Sequence, residues 1–200
     1  MSRSLDYLTG DATADALLAA DPNALLLGMV LDQQVTMEKA FAGPAVIAER
    51  LGGTLDVAKI AAMDPVEFEK LCATRPAIHR FPGAMAKRVQ AVCVELVDKH
   101  EGSAQKLWNS AGTGAELFTA IKSLPGFGDQ KAMIFVALLG KQYGVTPPGW
   151  ERAAGDYGQD GFRSVADVVD PESLTRVRIS KREAKQAVKD AKDAKQTKKS

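Results

Sequence analysis

From Ala24 to Leu31 the chain is dominated by large apolar side chains: Leu25, Leu26, Leu27, Met29, Val30 and Leu31. Apolar positions on every face predict a deeply buried helix. Polarity then rises abruptly at Asp32-Gln33-Gln34-Val35-Thr36. Upstream, Asp11 to Ala20 repeats small and apolar residues at helical spacing until Asp21-Pro22-Asn23 breaks the pattern. Downstream, Thr36 is placed to cap a helix over about Met37 to Leu51. Lys39 stands where a full capping box has Glu or Gln. Gly52-Gly53 supplies the stop.

Thr54 to Met63 reads as a short amphipathic helix. Asp64-Pro65 opens the next, through Phe68, Leu71 and Cys72, and Arg75-Pro76 ends it. Ile78 to Gly83 reads as a loop. Ala84 to His100 follows as a long amphipathic helix with Val89, Val92, Cys93, Leu96 and Val97 inward, closed by Gly102. Two short helices, around Leu107-Trp108 and over Leu117 to Leu124, precede a helix from Ala132 to about Tyr143. Thr146-Pro147-Pro148-Gly149 is a rigid break, and residues 150–170 are Gly-rich with scattered acids. Asp170-Pro171-Glu172 opens a final basic helix to about Lys195. No segment sustains strand alternation, so the pattern predicts an all-α chain of roughly ten helices.

The bend Leu124-Pro125-Gly126-Phe127-Gly128 joins two of these helices. Pro125 fixes its own φ, while the glycines can adopt positive φ without a Cβ penalty. Amides at the start of the second helix lack intrahelical partners, and with the positive end of the helix dipole they favour an anion.

Composition narrows the class. The 200 residues are 46% hydrophobic and 26% charged, enough for a real core in one domain. Two cysteines, Cys72 and Cys93, sit in apolar helical patterns and read as buried inert thiols. That number excludes a disulfide framework and any four-cysteine metal or iron–sulfur site. No signal-length or membrane-length apolar run occurs, so a cytoplasmic protein without membrane contact is expected. Net charge is +1, but residues 181–200 carry eight Lys/Arg against three acids. This basic tail can serve phosphate contacts or solubility.

Three segments carry a family resemblance. Met29-Val30-Leu31-Asp32-Gln33-Gln34-Val35-Thr36, then Phe81-Pro82-Gly83-Ala84-Met85-Ala86-Lys87-Arg88, then Leu124 to Ala132 resemble, in this order, motifs of the helix-hairpin-helix (HhH-GPD) superfamily of base-excision DNA glycosylases. The likeness covers about Leu25 to Tyr143 and is greatest to a short actinobacterial-type branch. It implies two helical lobes with a cleft between them: residues 24–110, and 1–23 with 111–180, followed by the basic tail 181–200. It implies double-stranded DNA as the partner, with Pro125, Gly126, Phe127, Gly128, Gln130 and Lys131 at a phosphate. A monovalent cation on the hairpin carbonyls is also implied. Gln34, beside Gln33, would fill the stack left by an extruded nucleotide, where a planar amide meets both the unpaired edges and the void. Lys87 and Arg88 match basic positions of the second motif and serve either phosphate or surface ion pairs.

The chemistry departs from the family. Its bifunctional members carry a Lys two residues after the second hairpin Gly, where this chain has Gln130. Lys131 is one position on, about 100° round the helix. A monofunctional hydrolase without lyase activity is therefore expected. An oxocarbenium-like transition state calls for a carboxylate. The family spacing lands on Pro148, so Asp156 is the first candidate, with Asp170 and Asp167 as alternatives. Tyr7, Trp108, Trp150 and Tyr157 are candidates for stacking a base or for the core, and His79 for the cleft or for packing. The rival classes are a DNA-binding module without hydrolysis and a helical protein–protein module.

Overall fold

The computed structural model describes residues 7–197, so the first six residues of the expected domain and the last three of the basic tail lie outside the description. Every regular element among the described residues is helical. In order these are α1 (Ala12–Ala20), α2 (Pro22–Leu31), α3 (Met37–Arg50), α4 (Val57–Ala62), α5 (Pro65–Ala73), α6 (Pro82–His100), α7 (Ala104–Asn109), α8 (Gly114–Lys122), α9 (Asp129–Gln142), α10 (Trp150–Ala154) and α11 (Pro171–Thr197). Two 3₁₀ turns, Gly155–Gly158 and Val165–Asp167, lie between α10 and α11. No single helix among the described residues is long and apolar enough to cross a membrane.

Short polar residues set the helix starts. Asp11, Asp21, Thr36, Asp56, Asp64, Ser103 and Thr113 each accept from a first-turn amide. α6 begins at Pro82, inside the expected loop, because a proline's fixed φ suits the first helical position and its missing N–H costs nothing there. Val97 is 38% exposed rather than inward. It lies about 100° round from buried Leu96, off the Val89–Val92–Cys93–Leu96 face.

α2 is the central element, with every residue from Ala24 to Leu31 buried. α3 crosses it so closely that a Cβ on Gly28 would stand 2.6 Å from the Phe41 ring, and one on Gly43 2.4 Å from Leu31 Cδ1. α1, expected with the second lobe, packs on α2 and α3 instead. α4 and α5 pack on α6, and α6 packs on α2. A second group forms around α9 from α8, α10 and both 3₁₀ turns. α7 joins the groups, touching α2, α6 and α8. Its Trp108 is core, edge-on to Phe135 at 6.2 Å and Tyr143 at 5.8 Å.

Polar side chains fasten the joints. Asn23 donates to Gly102 O (3.1 Å) and accepts from Ala104 N (2.8 Å), tying α2 to the α6–α7 turn. At the end of α9, buried Gln142 donates to Ala166 O (2.8 Å) and Val168 O (3.0 Å). Beside it, Lys141 pairs with Asp167 at 2.6 Å.

The α2–α3 crossing yields a stability prediction. Gly28→Ala forces a methyl against the fully buried Phe41 and costs about 1–3 kcal/mol. Thermal denaturation checks it, and an unchanged melting temperature would mean that the crossing is looser than described.

Candidate active-site cleft

The polar stretch after α2 forms a lip. Asp32 is the C-cap of α2, its N–H donating to Gly28 O and Met29 O. The Gln33 side chain donates to Val30 O at 3.0 Å, and its Oε1 accepts from the Arg88 guanidinium. Buried His79 holds the same residue from behind: its Nε2 donates to Gln33 O at 2.8 Å, while its Nδ1 accepts from Phe81 N–H at 3.0 Å. Two such bonds require the neutral ring protonated on Nε2. Burial pushes the His79 pKa down, the Gln33 carbonyl works against that, and Lys39, Arg80 and Lys131 add to the lowering.

Gln34, next on the lip, is exposed and has φ of 55°. A left-handed conformation is uncommon for a residue of this type, and such strain clusters at functional positions. Gln34 lines the main cleft on one side and a groove with Lys39, Arg75 and Arg80 on the other. It therefore stands on the ridge between them.

Across from the lip is the hairpin. Gly126 takes positive φ (85°), whereas Gly128 is extended, so one glycine and not both supplies the left-handed turn. Gly128 is the N-cap of α9 and contributes no side-chain acceptor, which leaves the first-turn amides uncapped. Asp129 in that turn pairs with Lys122 at 2.5 Å. Phe127, expected at DNA, is buried against Phe135, and its N–H donates to Leu124 O at 3.1 Å. Its ring serves the core because the bend turns it inward. Half-buried Pro125 sets the approach. The Arg88 stem packs on Gly126, with Cδ 3.5 Å from where a Cβ would sit.

Lip and hairpin face one cleft of about 1250 Å³. Asp32, Gln33 and Gln34 line one side; Gly126, Gln130 and Lys131 line another. Asp156, Tyr157 and Arg163 continue the wall, and Lys181 and Lys185 of α11 complete it. Gln130, in place of the family's Lys, donates to Tyr157 Oη at 2.8 Å. Lys131 does reach the cleft wall, but its ammonium donates to Val30 O at 2.9 Å and lies 5.3 Å over the Phe127 ring. Burial pushes its pKa down to about 8, against the pull of Asp32 and with a further push from Arg88. Burial raises the Asp32 pKa, while Lys181 and Lys131 oppose the rise.

The other acids are occupied elsewhere. Asp167 is claimed by Lys141 and by the amides of Arg163 (2.8 Å) and Ser164 (3.1 Å), so it braces its own turn. Asp170 caps α11, accepting from Ser173 N at 2.6 Å, and the Ser173 bonds hold its carboxyl below the ordinary value. Neither lines the cleft; Asp156 does. Pro148 is used in packing, its carbonyl accepting from Gly114 N at 2.9 Å. Lys87 is exposed and outside the cleft lining. Sequence reasoning missed Asp32 and Lys181. Asp32 stood inside the quoted lip motif, and the abrupt polarity after an apolar helix was its only signal. Lys181 had none beyond general basicity.

The family model for HhH-GPD superfamily base excision DNA repair proteins matches residues 27–196. The chain belongs to that superfamily. No curated protein and no solved structure matches it. The HhH-GPD match runs past the hairpin helices and takes in nearly all of α11. Its helical fold agrees with the family's, and membership makes this a base excision DNA repair protein that binds DNA. Both HhH-GPD cysteines are buried, and burial pushes each thiol up to about 12.

His79 gives a pH prediction. Its folded pKa lies below the ordinary 6.5, so the unfolded chain binds more protons in that window. Its contribution is full above 6.5 and is lost as pH falls toward the depressed value. Between pH 7.5 and 5 the wild-type melting temperature should fall further than that of His79→Gln. Parallel curves would refute the neutral-ring assignment.

Proposed function

We propose that this repair protein is a DNA glycosylase that extrudes one nucleotide from duplex DNA and hydrolyses its N-glycosidic bond without cutting the strand. The observation that carries the reading is the convergence on one cleft of Gln34, the uncapped hairpin amides and the Asp32 carboxylate. The α1–α6 and α8–α10 groups serve as the two lobes. The hairpin amides hold a phosphate, Gln34 occupies the emptied stack, and the neighbouring basic groove takes the opposite strand.

As the glycosidic bond breaks, positive charge develops at C1′. Asp32 is the better stabiliser of that charge because it is half-buried, with Lys131 and Lys181 favouring its ionised form. At 4 Å a unit pair is worth about 1 kcal/mol in water and about 4 kcal/mol at an effective dielectric constant of 20. Asp156, exposed at the mouth, is assigned to orienting water. The Lys131 ammonium is committed to Val30 O, which supports attack by water rather than by an amine. A monovalent cation fits the same reading: Leu124 O accepts from Phe127 N–H and keeps a second lone pair. The reaction as read needs no iron–sulfur cluster.

The test is a product assay on duplexes carrying uracil, alkylated purines or oxidised bases. Asp32→Asn should lower abasic-site formation by about 100-fold or more, and Asp156→Asn by less than about tenfold. The reverse order transfers the role to Asp156. A second reading, lesion binding without hydrolysis, is favoured by Gln130 and Pro148 at the family's two reactive positions. Duplex binding with no abasic product from any substrate would support it.

The acid limb of the rate profile should lie above the ordinary 3.8 of an Asp, because burial raises Asp32. Lys181→Ala should move it higher still, since that ammonium opposes the rise. Borohydride should trap no covalent adduct with abasic DNA. Trapping that disappears in Lys131→Ala would make the protein bifunctional.

A further inference from the structure

α11 docks by its first turns and then runs on along the cleft. Leu174 and Val177 are buried, and Arg176 stacks on Phe162 at 5.0 Å while pairing with Glu172. Arg178 pairs with Glu38 of α3. These arginines are thus engaged in holding the helix. One turn further, Ser180, Lys181, Ala184 and Lys185 line the same cleft as Gly126, Gln130 and Lys131 of the hairpin and α9. Among the described residues neither Lys181 nor Lys185 belongs to a salt bridge. Ser180 and Ala184 keep the surface between them low. Lys181 also acts electrostatically on Asp32, so its charge is felt inside the cleft.

We infer that Lys181 and Lys185 form a second phosphate grip, holding the strand that carries the extruded nucleotide in the cleft that the hairpin also lines. Four helical residues rise about 6 Å, and phosphates of one strand are spaced about 3.4 Å along a duplex axis. The two ammonium groups are therefore far enough apart to meet separate phosphates of one strand. The inference rests on the DNA-binding reading of the cleft and adds its third wall.

The experiment measures affinity for a duplex oligonucleotide by fluorescence anisotropy between 50 and 200 mM salt, on the full chain. Each lost phosphate contact removes about 0.9 from the logarithmic salt slope. Lys181→Ala/Lys185→Ala should therefore flatten the slope by about 1.8, so that wild type loses roughly 12-fold more affinity than the variant across that range. Lys99→Ala/Lys106→Ala, an equal charge change at ion-paired positions on α6 and α7, should leave the slope unchanged. Circular dichroism confirms that both variants fold. A wild-type slope in the Lys181/Lys185 variant overturns the grip and leaves DNA binding by the hairpin standing. Tighter binding by that variant makes α11 a cover and also overturns it. No duplex binding by the wild-type chain overturns both this inference and the function proposed above.

Discussion

The carbonyl of Val30 is the point on which the site turns. A helix ends with carbonyls that have no partner in the helix, and an unmet one in the interior is costly. Val30 O receives two donors, the Gln33 amide at 3.0 Å and the Lys131 ammonium at 2.9 Å. One comes from the lip and the other from the hairpin helix, 101 residues later in the chain. A cation at a helix C-terminus is favoured by the dipole, and a bond to a charged donor contributes about 1.5–3 kcal/mol. This junction fixes the spacing between the ridge residue Gln34 and the amides of the bend. Arg88 reinforces it, packing its stem on Gly126 while its guanidinium bonds to Gln33.

α9 transmits that alignment. Its first turns carry the hairpin amides and Lys131, and its last residues, Lys141 and Gln142, grip the segment containing Asp167. One rigid element thus positions both the hairpin and the wall that begins at Asp156. Opposing effects act on the acid in the cleft: burial favours protonated Asp32, while ammonium groups from α9 and α11 favour the ionised form. A group so balanced responds to small changes around it, which is the usual setting of functional carboxylates.

Helix periodicity and capping chemistry made most of the fold readable. Thr36, Asp64 and Asp170 acted as starts because a short side chain fits the cap wherever the chain leads. The α2 run was readable because burial on every face leaves no polar position. The bend was readable from Pro125 and Gly126, since few residues satisfy its backbone. The acids were not separable in this way. Asp156 and Asp167 share one Gly-rich stretch, and contacts with distant residues tell them apart: Lys141 takes Asp167, whereas the cleft receives Asp156. Asp32 looked like the end of a helix because α9 and α11, which make it a cleft residue, are distant in sequence. The rotation argument against Lys131 had the right angle, but its long stem still reaches the wall.

The two cysteines bear on the conditions under which such a protein works. Peroxides and alkylating agents attack the thiolate, and a thiol whose pKa stands at about 12 offers almost none at neutral pH. Apolar packing around Cys72 and Cys93 also denies access to both sulfurs. Electrophiles that lesion nucleobases therefore find neither cysteine of this repair protein as a ready thiolate.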